Sequence, residues 1–145
     1  MKQRRAVPNR GAPLFEACVR GPPVSAQSRS RNLLKAWQAT VAGAARAAWP
    51  STAAPIRDAV TVTVSEFSEA ATMDRDNMVK PILDSPQEIV YENDRQVMRV
   101  DVEWADIDGS FTVRYMSPSV ALALSAGDEF IWIRVWPHSA RKDLR

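Results

Sequence analysis

Cysteine and histidine are almost missing from this sequence: Cys18 and His138 are the single copies of each. One cysteine excludes an internal disulfide, and one histidine leaves no Cys/His cluster of the kind that binds zinc. Cys18 falls in an alternating apolar segment and reads as a small buried hydrophobe rather than a nucleophile. His138, behind Pro137 in a basic tail, reads as solvated. No stretch approaches the roughly 18 apolar residues of a membrane span. Pro8, Arg10 and Pro13 break the N-terminal segment, so it does not read as a secretion signal. The expected compartment is therefore the cytoplasm, with no membrane partner. Also absent are a glycine-rich phosphate loop, a G-x-S-x-G elbow and any internal repeat. A formal charge of +2 is too small to argue for nucleic acid by itself.

What is present is an ordinary globular mixture, 46% apolar and 25% charged over 145 residues, enough for one domain with its own core. Basic residues cluster instead of spreading. Lys2, Arg4, Arg5 and Arg10 load a Pro/Gly-rich arm over residues 1–13; Arg29, Arg31 and Lys35 follow a proline turn; Arg141, Lys142 and Arg145 lie in a tail over 138–145. Such clusters suit phosphates, and equally suit a solvated tail and a helix start.

Between arm and tail the periodicity alternates between two and 3.6. Residues 14–20 set Phe15, Ala17 and Val19 against Glu16, Cys18 and Arg20, a half-buried strand broken by Gly21-Pro22-Pro23. The Ser/Gln/Arg segment to Arg31 is predicted as a surface loop and candidate DNA contact. A helix is predicted over 32–48, with Trp37 in the core and Pro50 past its end. Residues 59–67 (AVTVTVSEF) form the cleanest strand pattern, and residues 97–104 a third strand. Beyond Asp108-Gly109, Phe111, Val113 and Tyr115 suit an extra strand in hairpin with the third. Ser117-Pro118 suits the start of a short helix through Leu124, stopped by Gly127. The last strand, 129–136, is apolar on both faces and should be covered on both. The expected architecture is α+β, a small mixed β-sheet with packed helices in one domain over 14–137, with residues 106–126 as an insertion before the last strand.

The chemistry concentrates in residues 72–97, TMDRDNMVKPILDSPQEIVYENDRQV. Asp74 and Asp76 precede a helical stripe of Met78, Val79, Ile82 and Leu83, so Asp76, Lys80 and Asp84 share another face. Pro81 should leave that helix short or bent. Asp94 returns a third carboxylate at the entrance to the third strand. Two readings of these residues stand. Acids at a helix start cap free N–H groups, and a Lys between two Asp makes a charge ladder. Alternatively, Asp74, Asp76 and Asp94 hold a hard cation, which takes oxygen ligands from a few carboxylates, phosphate and water, and Lys80 stabilises charge on a scissile phosphate. A calcium loop fails, because Val79 stands where glycine is wanted.

The string D-x-D-N-x-x-K-P-x-L-D at 74–84, followed by V-Y-E-N-D-x-Q-V at 90–97 and preceded by Val19-Arg20-Gly21-Pro22-Pro23-Val24-Ser25, resembles the RusA family of Holliday junction resolvases. The resemblance implies a Mg²⁺-dependent (or Mn²⁺-dependent) endodeoxyribonuclease resolving four-way junctions or other branched DNA as a homodimer. It implies metal ligands at Asp74, Asp76 and Asp94 and a catalytic lysine at Lys80. Arg75 joins Arg29, Arg31 and Lys35 as candidate DNA contacts, and Asn77, Asp84 and Asn93 are candidates to stand just outside the metal ligands. The chain departs from the family pattern at Asn93, where a second Asp is often found, and in lacking a basic run before Asp74. Those departures motivate a rival expectation, a branched-DNA-binding protein that cuts weakly or not at all.

Overall fold

The computed structural model describes residues 12–71, 73–113 and 116–139. The basic residues of the arm, those of the tail, Thr72 and Tyr115 lie outside the described residues. Four strands and three helices alternate along the chain: β1 (Phe15–Arg20), α1 (Arg31–Ala48), β2 (Val60–Ser68), α2 (Arg75–Asp84), β3 (Val97–Asp106), α3 (Pro118–Ala126) and β4 (Phe130–Pro137). A short 3-10 turn, Asp94–Gln96, leads into β3. The sheet runs β1-β4-β2-β3, with β2 and β3 parallel and the other pairs antiparallel, which makes it the mixed sheet that the sequence implied. Among the described residues, no helix is long and apolar enough to cross a membrane.

The central position of β2 explains its sequence. Val60, Val62 and Val64 enter the main core with Ile131, Ile133 and Val135 of β4, and Trp37, Val41 and Ala45 of α1 close over them. The opposite face carries Thr61, Thr63 and Ser65, and it too is buried. Three hydrogen bonds cross the sheet there: Trp136 Nε1 donates to Thr63 Oγ1 at 3.1 Å, Ser65 Oγ donates to Glu103 at 2.7 Å, and Arg134 donates to Ser65. Such pairing matters, because an unpaired buried hydroxyl costs about 1–3 kcal/mol. A second cluster of Phe67, Val120, Phe130 and Trp132 lies under α3, so β4 is covered on both faces as its all-apolar pattern demanded. Gly127 ends α3 with φ of 75°, a conformation that favours glycine.

Among the described residues, the hairpin expected beyond Asp108-Gly109 is not formed. Residues 110–113 are not strand; the Phe111 ring instead meets Phe67 edge-on at 5.2 Å. The ring stays 38% exposed, so this edge contact covers only part of it, and β3 remains an edge strand of the sheet, as β1 does at the other side. His138 is half-buried rather than solvated, its Nδ1 3.0 Å from Thr61 Oγ1.

Pro81 sits inside α2, past the first turn. It has no N–H for the carbonyl of Asn77, four residues earlier. That carbonyl accepts from Ala26 N–H at 2.9 Å, which pins the loop after β1 to the acidic helix.

Cys18 is a free, half-buried thiol on β1, its pKa pushed up to about 12 by burial and then by Glu16. Since only the thiolate attacks, a disulfide reagent at pH 8 should label the native protein far more slowly than the urea-unfolded chain. Equal rates would contradict this placement.

Candidate active site

Asp74 is the N-cap of α2: its Oδ1 accepts from Asp76 N–H at 2.9 Å, one of the free donors of the first turn. The capping reading therefore holds for Asp74, and its exposed position leaves a further role open. One turn on, the expected face forms. Asp76, Lys80 and Asp84 rim a cleft of about 330 Å³, Asp94 rims it from the entrance to β3, and Val79, Leu83, Val100 and Val102 form its apolar floor. Lys80 Nζ is 3.4 Å from Asp84, the ladder contact that i,i+4 spacing dictates. Lys80 itself remains largely exposed.

Two residues that the sequence reading passed over hold these acids in place. Gln87 donates through Nε2 to Asp84 Oδ1 at 3.4 Å and accepts at Oε1 from Asp94 N–H at 3.3 Å, so one amide bridges both acids. Tyr91 is buried and donates its hydroxyl to Leu83 O at 2.5 Å, fastening the returning chain to the end of α2. Burial, then the charges of Asp84 and Asp94, push its pKa well above the usual tyrosine value. Nothing in the spacing of Gln87 marked it; Tyr91 stood in the V-Y-E-N-D string without an assigned role.

The other candidates fall in different places. Asn93 caps the 3-10 turn, its Oδ1 accepting from Arg95 N–H at 2.8 Å, and it lines a neighbouring groove with Arg57, Glu92 and Gln96 rather than the acid cleft. Asn77 serves through its main-chain carbonyl, already described. Arg29, Arg31 and Lys35 are exposed around the Ser30 cap of α1, whose Oγ accepts from Leu33 N–H at 3.2 Å. The Ala26–Asn77 bond carries their loop on the same helix as the acids.

Arg75, proposed for DNA, is turned inward: Nη2 donates to Glu66 Oε1 at 3.1 Å and to Met73 O at 3.2 Å. Glu66 is 3% exposed on β2, so this ion pair anchors the N-terminus of α2 to the central strand. Arg75→Ala would leave a buried carboxylate unpaired. Because the Arg75 side chain is 32% exposed, the expected loss is about 2 kcal/mol rather than the roughly 3–5 kcal/mol of a fully buried pair. Urea unfolding checks this, and an unchanged midpoint would contradict the anchoring role.

The model of the family described as endodeoxyribonuclease RusA matches residues 24–116. The chain belongs to the RusA family. The match takes in α1, β2, α2 and β3, and with them Asp74, Asp76, Lys80 and Asp94; it also includes residues 106–116, the first half of the segment expected as an insertion. RusA membership supports an endodeoxyribonuclease and implies Holliday-junction-resolving activity. RusA resolvases are generally dependent on a divalent metal. A search of curated proteins finds no match to the chain.

The donor set suits such a cation. Among the described residues, no three acidic, histidine or cysteine side chains stand close enough together to hold a metal alone. The cleft nevertheless offers only oxygen donors, and a hard cation is commonly held by one or two carboxylates plus phosphate and water. The residues fit an open site, one with coordination positions left over for phosphate and water oxygens.

Proposed function

We propose that residues 14–137 form a Mg²⁺-dependent endodeoxyribonuclease domain, Mn²⁺ serving as well, that cuts four-way junctions or other branched DNA as a homodimer. The observation that carries this reading is the single cleft in which a RusA-family chain presents Asp76, Asp94 and Lys80 together. Asp76 and Asp94, with Asp74 beside them, would hold the cation. When bound, the cation supplies Lewis-acid polarisation of the phosphate and eases deprotonation of an attacking water.

The remaining work falls to the chain. Lys80 Nζ stands free enough on the cleft rim to donate to a phosphate oxygen, its interaction with Asp84 being an exposed pair worth a few tenths of a kcal/mol. Gln87 keeps Asp84 and Asp94 in fixed relation as DNA enters. Arg29, Arg31 and Lys35 would follow phosphates outside the cleft, giving register without sequence preference. Two opposed cuts in one junction call for two sites related by a twofold axis, which is the reason for a dimer.

The test is incubation with a synthetic four-way junction, a linear duplex and single strands, with and without Mg²⁺, alongside light scattering of the free protein. The expected result is Mg²⁺-dependent cutting of the junction by a dimer. Binding without cutting would favour a junction-binding protein, and a strict monomer that stays one on the junction would favour simple nicking.

A further inference from the structure

Along β3, Val100, Val102 and Trp104 pair with Val62, Val64 and Glu66 and alternate onto one face, and Val100 and Val102 of that face floor the acid cleft. Trp104 is therefore next in line beyond the floor, about 7 Å further along the strand than Val102. It pairs in register with Glu66, the residue that holds Arg75, so it stands at the end of the cleft where α2 begins.

Trp104 is unlike the tryptophans of the core. Trp37, Trp132 and Trp136 are buried to 7% exposure or less, whereas Trp104 is 41% exposed on an edge strand. Its one polar group is already satisfied inside the protein: Nε1 donates to Ser68 Oγ at 3.0 Å, and Ser68 Oγ in turn donates to Ala70 O at 3.1 Å. The indole is thus held in orientation by a bond at its nitrogen, while much of its apolar surface meets water. That exposure is unfavourable in the free protein and marks a surface awaiting a flat apolar partner. Beside a cleft rimmed by carboxylates, a neutral aromatic ring adds affinity without adding charge.

We propose that Trp104 is a stacking platform for an unpaired nucleobase of DNA whose neighbouring phosphate lies in the acid cleft. This rests on the DNA-cleaving reading above. Aromatic stacking tolerates any base, because every base has a π-face. It also distinguishes branched, frayed or single-stranded DNA from a closed duplex, whose bases are already stacked on one another. Trp104 would then select for disrupted DNA, a preference that the phosphate-tracking arginines do not supply.

The experiment compares wild type, Trp104→Leu and Trp104→Phe for binding to a four-way junction, a single strand and a blunt duplex. It is done in EDTA so that nothing is cut, with 2-aminopurine at the branch point as a stacking probe. Trp104→Leu should weaken junction and single-strand binding by roughly ten- to a hundredfold and abolish the 2-aminopurine quenching, with duplex binding nearly unchanged. Trp104→Phe should keep most of the affinity, which guards against a mere folding defect. Unchanged binding by Trp104→Leu, an equal loss on duplex, or a shift in oligomeric state showing Trp104 to be a subunit contact would each overturn the proposal. A wild-type protein that shows the Trp104-dependent difference yet never cuts would sink the nuclease reading and leave the platform standing; one that binds none of the DNAs sinks both.

Discussion

Asp94→Asn and, separately, Asp76→Asn are expected to lower single-turnover cutting of a four-way junction in Mg²⁺ by about a thousandfold, on the order of 4 kcal/mol of transition-state stabilisation. Both side chains rim the cleft from different elements, α2 and the entrance to β3, so either loss leaves the cation with half of its cleft-facing proposed ligands. The change to Asn removes charge with almost no change in shape. Junction affinity should hold or rise, since one less carboxylate repels phosphate. Asp74 separates its two roles by choice of substitution. Asn caps a helix as well as Asp, so Asp74→Asn should keep stability and lose cutting, whereas Asp74→Ala should also lose about 1 kcal/mol of stability. Quenched-flow cutting and urea unfolding on the same preparations read both quantities. Wild-type rates in Asp76→Asn and Asp94→Asn together would remove the metal-site assignment.

Lys80→Ala has the next largest expected effect, a fall of about a hundredfold in the single-turnover rate with only a several-fold loss in binding. An ammonium on the rim stabilises charge that grows on the phosphate during reaction more than charge already there, so the rate should suffer more than affinity. Its structural contribution is small, because the Lys80–Asp84 contact is long and exposed. Equal losses in rate and in binding would make Lys80 an ordinary phosphate contact. Lys80→Arg is informative beside it: the charge persists but the donor is larger and planar, so binding should survive better than rate.

The strands and the acidic face of α2 were legible because they depend on local period: alternation in residues 60–68 and i,i+4 spacing of Asp76, Lys80 and Asp84 need no knowledge of distant partners. The misreadings lie where a distant partner decides. Arg75 reads as a cation beside acids, hence as a DNA contact; the burial of Glu66 on the central strand redirects it, and no periodicity marks a glutamate for burial. Pro81 reads as a break, yet the carbonyl it orphans is served by Ala26 from a loop some fifty residues upstream, about the longest link the site uses. Phe111 reads as strand by β-propensity, and packing on Phe67 overrides that preference. Asn93 was notable as the neighbour of Asp94, but adjacent residues leave a turn in different directions. Its amide caps the turn and faces the next groove. The role of Gln87, bridging Asp84 and Asp94, follows only from the fold.

Product analysis on a mobile four-way junction is the most direct test of the proposed cleft chemistry. Wild type and Asp94→Asn are incubated with the junction in Mg²⁺ and in EDTA, and the cut strands are mapped and offered to DNA ligase. The predicted result is paired, symmetric cuts by wild type in Mg²⁺ alone, leaving nicks that ligase reseals, and none by Asp94→Asn although it still binds the junction. Cutting that persists in EDTA, or that Asp94→Asn performs at the wild-type rate, would contradict it.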